Sequence, residues 1–322
     1  MLLEKYVYGG VYGLAVGDAL GVPVEFTSRE ARDHDPVREF RGFGTHNQPK
    51  GTWSDDTSMV LATMDAMIAS GLSYGMIMSC FGKWLNMAKY TAGGKVFDVG
   101  GTTLNAINNF LMGEEVENCG ESSVNSNGNG SLMRMLPMVL YLMATEGLAL
   151  TNEVVDKIYK LSGLTHAHPI SKVCCVYYVH IGRSIIMWGY QRGLRKAVQE
   201  AIEEVDEYYK SREGAIPYLP DIIRMDSLVD SMELDRDEVK STGFVVDSLE
   251  ASIWCLCNTN SYKDAVELAV NLGGDTDTIG AITGSLAGLY YGVEGIPKEW
   301  LADIQSMEFI KSICDRFYTQ FK

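Results

Sequence analysis

The sequence predicts an all-α fold, a single compact multi-helix domain spanning residues 1–322, on three observations. Apolar residues recur at three- and four-residue intervals through most periodic segments, the spacing of one helix face. Val- and Ile-rich alternating stretches are scarce and no strand–helix alternation repeats, which argues against a doubly wound sheet. No internal repeat and no change in composition marks a domain boundary.

Taken in order, the spacing predicts helices at roughly 5–20, 56–70, 74–88, 101–112, 131–145, 152–162, 170–188, 194–210, 245–258, 262–271 and 277–291. The first lies in a run from Tyr6 to Phe26 that is almost wholly apolar. Asp18 and Glu25 would be costly in a bilayer and glycines interrupt the run, so it reads as a buried helix of a soluble protein. Gly9, Gly13, Gly17 and Gly21 repeat at four-residue spacing on this helix, as Gly280, Gly284, Gly288 and Gly292 do on the last. A glycine inside a helix costs about 1 kcal/mol relative to alanine. Lined up on one face, these positions suit the close approach of another backbone, so the two helices are expected to pack near each other or against others at the centre.

Polar or glycine-rich breaks separate the helices at 40–54, 91–103 and 118–131. WCLCN (254–258) and YVHIGRSIIMW (178–188) read as core. Residues 203–243 are acidic, carry Pro217 and Pro220, and read as a surface excursion.

An apolar fraction of 46% is enough for a substantial core. With 27 basic against 42 acidic residues, the net charge of −15 argues against non-specific nucleic acid or anionic membrane as partners, although a local basic pocket could hold a phosphate. Seven cysteines with no CxxC pair fit a reduced, cytoplasmic compartment. The first residues, MLLEKYVYGG, have no basic-then-apolar export layout. The expected oligomeric state is a monomer.

Two short motifs carry the chemistry. Gly51-Thr52-Trp53-Ser54-Asp55-Asp56-Thr57 leads into one apolar helix, and Gly273-Gly274-Asp275-Thr276-Asp277-Thr278 into another. Either alone is explained by helix capping, since Ser, Thr and Asp favour N-caps and acids complement the helix dipole. Capping needs one side chain, however, and each motif supplies several. If the two helix starts meet, Asp55, Asp56, Asp275 and Asp277 share a small volume. Like charges 4 Å apart repel by about 4 kcal/mol at an effective dielectric near 20, so the cluster must raise its pKa values or recruit cations. Oxygen ligands supplemented by Ser54 and Thr278 suit Mg²⁺ or Mn²⁺ rather than zinc, and could hold two ions about 3.5–4 Å apart. No histidine accompanies these motifs. The NSNGNGS loop before the 131–145 helix could hold a diphosphate on backbone N–H groups, or be an ordinary turn.

These motifs, with GLAVGDALGVPVEF (13–26), FDVGGTT (97–103), NGNGSLMRMLP (127–137), LTHAHP (164–169) and the continuation of the second motif to Gly292, resemble the ADP-ribosyl-glycohydrolase family, in its order and over residues 13 to 292. The resemblance implies a metal-dependent hydrolase with two divalent cations, Mg²⁺ or Mn²⁺, and ADP-ribose across the site's mouth. It implies Ser54, Asp55, Asp56, Asp275, Asp277 and Thr278 as metal ligands. It implies Glu25 on a flap beside the metals, Asp98 near the ribose, a diphosphate loop of Ser126, Asn127, Asn129, Gly130 and Ser131, and His166 along the cleft. Glu25, Asp56, Asp98 and Asp277 are then the acids expected to carry catalysis.

Alternatives stay open for single residues. Arg134 reads as a structural salt-bridge partner before a phosphate ligand, and His168, before Pro169, as a loop or capping residue. The expected substrate is an ADP-ribosylated protein or another ADP-ribose conjugate, with arginine-linked mono-ADP-ribose favoured by the likeness to the bacterial group. Serine-linked and O-acetyl conjugates are alternatives, as is a catalytically silent binding or structural relative. Retention of all four acids favours an enzyme.

Overall fold

The computed structural model describes residues 4–211 and 228–322, and among these every regular element is a helix. They are α1 (Glu4–Gly21), α2 (Arg29–His34), α3 (Asp55–Ser70), α4 (Tyr74–Met87), α5 (Gly101–Leu111), α6 (Leu136–Thr145), α7 (Asn152–Gly163), α8 (Pro169–Arg192), α9 (Leu194–Lys210), α10 (Val245–Cys257), α11 (Tyr262–Val270), α12 (Thr276–Tyr291), α13 (Lys298–Asp303) and α14 (Met307–Phe321). The all-α expectation is met among the described residues.

The two glycine-faced helices are the centre of the molecule. α1 and α12 run antiparallel with Gly9 against Gly288, Gly13 against Gly284 and Gly17 against Gly280, so close that a Cβ at any of these would fall on the partner's carbonyl oxygen. The seam ends where Gly21 meets the backbone of Thr276 and Asp277, and Thr276 Oγ1 donates to the Gly21 carbonyl at 2.8 Å. The glycines lose helix propensity and gain close dispersion contact and excluded water in return. α1 is long and apolar enough to cross a membrane, but nearly all of it is buried by the rest of the chain. Around the seam, α3 packs on α4 and α14, α8 on α9, and α10 and α11 on α12.

Four local expectations need correction. The 131–145 helix begins only at Leu136, with Pro137 in its first turn, because residues 129–131 form a separate 3-10 turn whose backbone serves the cleft. Helices α2, α13 and α14 were not expected. The first two have 6 residues each, too short for periodicity to declare, whereas α14 buries Ile310, Ile313, Cys314 and Phe317 at regular helical spacing. Pro217 and Pro220 lie outside the described residues; the described end of that acidic segment exposes Asp230, Glu233, Asp235, Asp237 and Glu238 as a surface excursion would, but it is anchored to the body. Leu228, Met232 and Val239 are buried, Leu234 O accepts from Trp254 Nε1 at 2.9 Å, and Arg29 donates to the Arg236 carbonyl at 2.5 Å. Arg134 is structural as expected, but through oxygen atoms rather than a salt bridge. Fully buried, it donates to the carbonyls of Gly130 and Leu161 and to Thr165 Oγ1.

Candidate functional site

The starts of α3 and α12 meet. Asp18, one turn from the end of α1, organises the first of them: its carboxylate accepts the Ser54 N–H at 2.9 Å, the Thr57 N–H at 3.0 Å and the Thr57 hydroxyl at 2.6 Å. Ser54 Oγ accepts the Asp56 N–H at 3.2 Å and donates to Asp56 Oδ2 at 3.1 Å. The caps of α3 are therefore Asp18 and Ser54, and the carboxylates of Asp55 and Asp56 accept none of its backbone N–H groups. Across the junction, Thr278 Oγ1 lies 3.4 Å from Asp56 Oδ2, and oxygens of Asp18, Asp56 and Asp277 lie within 4.8 Å of one another.

The capping explanation leaves oxygens over. Asp56 Oδ1, Asp275 Oδ1 and Asp277 Oδ2 are buried with no hydrogen-bond partner. Burial pushes the carboxyl groups of Asp55, Asp56, Asp275 and Asp277 above their ordinary range, and their neighbours' charges add to this. Unsatisfied buried carboxylate oxygens are expensive, and several aimed into one volume form a donor set that fits hard divalent cations. Asp18 belongs to the same volume, but its oxygens are already occupied by α3, so it caps and positions rather than offers a ligand.

Above this floor, Glu25 ends the turn that follows α1, held by two backbone bonds to the second motif: Phe26 N–H to Gly274 O at 2.7 Å and Gly274 N–H to Thr27 O at 2.8 Å. Gly274 adopts φ of 76°, and a Cβ there would strike the Ser241 carbonyl, so glycine is required for this clasp. His46 Nε2 is hydrogen-bonded to Glu25 Oε2 and lies 3.8 Å from Asp98 Oδ1. The expectation that no histidine accompanies the acids is thereby corrected. A 3-10 turn at Gly44–His46 folds the 40–54 loop over the acids, and Thr45 Oγ1 ties it to the Glu25 carbonyl at 2.7 Å. Burial lifts Glu25 to about 7, against the lowering effect of His46, and the Glu25 hydrogen bond raises His46. Lone histidines in loops give little sequence signal, and Asp18 was visible only as an acid in an apolar helix.

A cleft of about 470 Å³ opens over the floor, within the range of small-molecule sites. Glu25, Asp55, Asp98, Asp275 and Thr278 line one side of it; Thr103, Gly128, Asn129, Gly130 and His166 line the other. Asp56 and Asp277 lie beneath. Of the expected diphosphate loop, Asn129 and Gly130 face the cleft, and Asn129 Nδ2 reaches Asp275 Oδ2 at 2.8 Å. The side chains of Ser126, Asn127 and Ser131 turn inward, to Glu121, to the Val124 carbonyl and Ser171, and to Ser162. They brace the loop, because its backbone must hold shape while its glycines stay open.

His166 is fixed by a relay. Arg134 donates to Thr165 Oγ1 at 2.9 Å, and the Thr165 hydroxyl shares a hydrogen bond with His166 Nδ1 at 2.8 Å, which fixes the ring's orientation. Burial, then the Arg134 charge, lowers His166 to about 3, keeping it neutral. His168 caps α8, accepting the Ile170 N–H at 3.3 Å, as expected of it. A more open depression of about 730 Å³ beside Arg195 and Tyr290 has no comparable chemistry, and its arginines pair with Glu200 and Glu233.

Residues 2–322 match the model of the ADP-ribosylglycohydrolase family. The sequence is 30% identical over 311 residues to the ADP-ribosylarginine hydrolase Tri1 of Serratia proteamaculans (strain 568), covering 96% of this chain and 78% of that one. It is 29% identical over 299 residues to the ADP-ribosyl-[dinitrogen reductase] glycohydrolase of Rhodospirillum rubrum, covering 92% and 89%. A solved ADP-ribosylglycohydrolase-related protein complex superposes with a TM-score of 0.77 over 99% of both chains, at 24% identity, a likeness of fold.

Proposed function

The chain belongs to the ADP-ribosylglycohydrolase family, and from that premise we propose that it cleaves the N-glycosidic bond joining ADP-ribose to arginine side chains of modified proteins. The observation that carries this reading is the trio of buried, unpartnered oxygens on Asp56, Asp275 and Asp277 beneath a cleft of nucleotide-compatible size. The names of the Tri1 relatives support the arginine linkage. We place the activity in the cytoplasm, in a monomer whose residues 1–322 act as one catalytic unit.

Ser54, Asp55, Asp56, Asp275, Asp277 and Thr278 would hold two divalent cations, Mg²⁺ or Mn²⁺. Such ions supply charge balance, a handle on ribose hydroxyls and an acidified water. The chain's own groups do the rest. Backbone N–H groups of the 126–131 loop and His166 receive the diphosphate. Asp98 faces the distal ribose, whose oxocarbenium-like charge the surrounding acids stabilise. An ionised carboxylate of the floor takes a proton from the attacking water and passes it to the departing guanidine nitrogen, while Glu25, above it, keeps that end of the cleft negative around the developing charge.

A panel of peptides carrying arginine-linked and serine-linked ADP-ribose, together with O-acetyl-ADP-ribose, tests the reading. Release of ADP-ribose from the arginine conjugate, abolished by chelator and restored by Mg²⁺ or Mn²⁺, is expected. Preference for another linkage overturns the arginine assignment, and full activity in chelator overturns the metal role.

A further inference from the structure

We propose that His46 is a nitrogen ligand of an outer divalent-cation centre formed with Glu25, Asp98 and Asp277, and that this centre prefers Mn²⁺ to Mg²⁺. The inference rests on the metal reading above and adds to it a donor of a different chemical kind.

Each of these four side chains brings one ligand atom within 4.8 Å of all the others. An octahedral ion with bonds of about 2.1 Å spaces its ligands roughly 3.0 Å apart when adjacent and 4.2 Å when opposite, so a cluster within 4.8 Å closes to a coordination shell by shifts of about half an ångström. The imidazole is held for the purpose. Its ring contacts those of Phe97 and Phe26, at centroid distances of 5.4 and 6.2 Å, and Gln48 Nε2 anchors its backbone carbonyl at 2.9 Å. Its side chain is 14% exposed.

An independent sign of a missing ligand comes from below. Asp277 is fully buried, its Oδ1 accepts the Thr278 N–H at 2.9 Å, and its Oδ2 has no partner. One imidazolium would leave two of the three carboxylate charges unopposed, whereas a divalent ion leaves one. Asp277 is also the carboxylate common to this group and to the floor, which makes it the bridge between an outer and an inner position. A nitrogen donor favours first-row transition ions over Mg²⁺, which prefers oxygen.

Pulsed electron paramagnetic resonance on the full chain loaded with Mn²⁺ tests the assignment. A directly coordinated imidazole ¹⁴N coupling is expected, converting to the ¹⁵N pattern on labelling histidine and vanishing in His46→Gln. Calorimetry should show the Mn²⁺-over-Mg²⁺ affinity ratio falling about tenfold in that variant. Bound Mn²⁺ with no nitrogen coupling in the wild-type protein overturns the proposal and leaves His46 as a partner of Glu25 only. A coupling that survives in His46→Gln, with folding verified by circular dichroism, overturns it equally. Absence of any Mn²⁺ binding sinks the metal reading of the whole site together with this one.

Discussion

The two walls of the cleft are built on opposite principles. On the acid side, Asp56, Asp275 and Asp277 are buried with oxygens left over, and their charges oppose one another. On the loop side, Ser126, Asn127, Ser131, Thr165 and Arg134 have side-chain partners within the protein, and His166 is held neutral beside the cleft. The first side is electrostatically incomplete, as suits the cations proposed for it. The second is finished in advance, as suits the proposed reception of a diphosphate without rearrangement.

The contrast can be broken most forcefully at Asp277. Asp277→Asn should lower turnover of an ADP-ribosyl-arginine peptide more than about 100-fold, since even supporting residues of metal sites are worth 10–100-fold. The same change should raise the melting temperature of the chelator-treated protein, because it removes an uncompensated buried charge. A drop in both would mean that the floor is not strained without metal. On the other wall, Thr165→Val should do the reverse. It removes one of the three acceptors of Arg134, lowers the melting temperature with or without metal, frees the His166 ring, and weakens ADP-ribose binding by about tenfold, roughly 1.4 kcal/mol by calorimetry. Thr165→Ser, which keeps the hydroxyl, should restore both. Gly130→Ala is a finer probe. Its new methyl would lie 2.8 Å from His166 Cε1 and 3.0 Å from Thr103 Oγ1, so a few-fold loss of affinity is expected with turnover at saturation little changed.

The smallest effect is also the one that separates the walls by sign. Glu25 and the floor carboxylates have folded-state pKa values raised by burial, Glu25 to about 7. Their contribution is present below the unfolded carboxyl range and is lost as pH rises through the folded values. His166 is lowered to about 3. Its contribution is present above its ordinary value of 6.5 and is lost as pH falls toward 3. Chemical denaturation of metal-free protein across pH 4 to 8 should therefore show the two slopes opposing one another. Saturating Mn²⁺ should abolish the acid-side slope, and His166→Asn the other.

Much of this was legible in the sequence, for identifiable reasons. The paired motifs announced the floor because they carry more acids than a helix start can use. The glycine rows announced the central seam because glycine is otherwise disfavoured there. His46 went unnoticed because its role comes from a loop folding back over 20 residues to Glu25, a contact with no periodicity behind it. Asp18 was read only for what it forbids in a membrane, since a cap delivered from a different helix leaves no local pattern. The inward turn of Ser126, Asn127 and Ser131 was equally hidden, because a motif specifies which residues form a loop and not which way each faces.

The glycine seam also shapes how the enzyme can fail. Because the last turn of α1 touches the backbone of Asp277, any side chain inserted at Gly21 pushes directly on the residue proposed to bind cations, and one at Gly17 forces the same two helices apart at Gly280. Random mutagenesis scored for lost activity should recover replacements in the first two dozen codons as often as in the acid motifs, and such alleles would mimic chemical knockouts while being, at root, spacing errors.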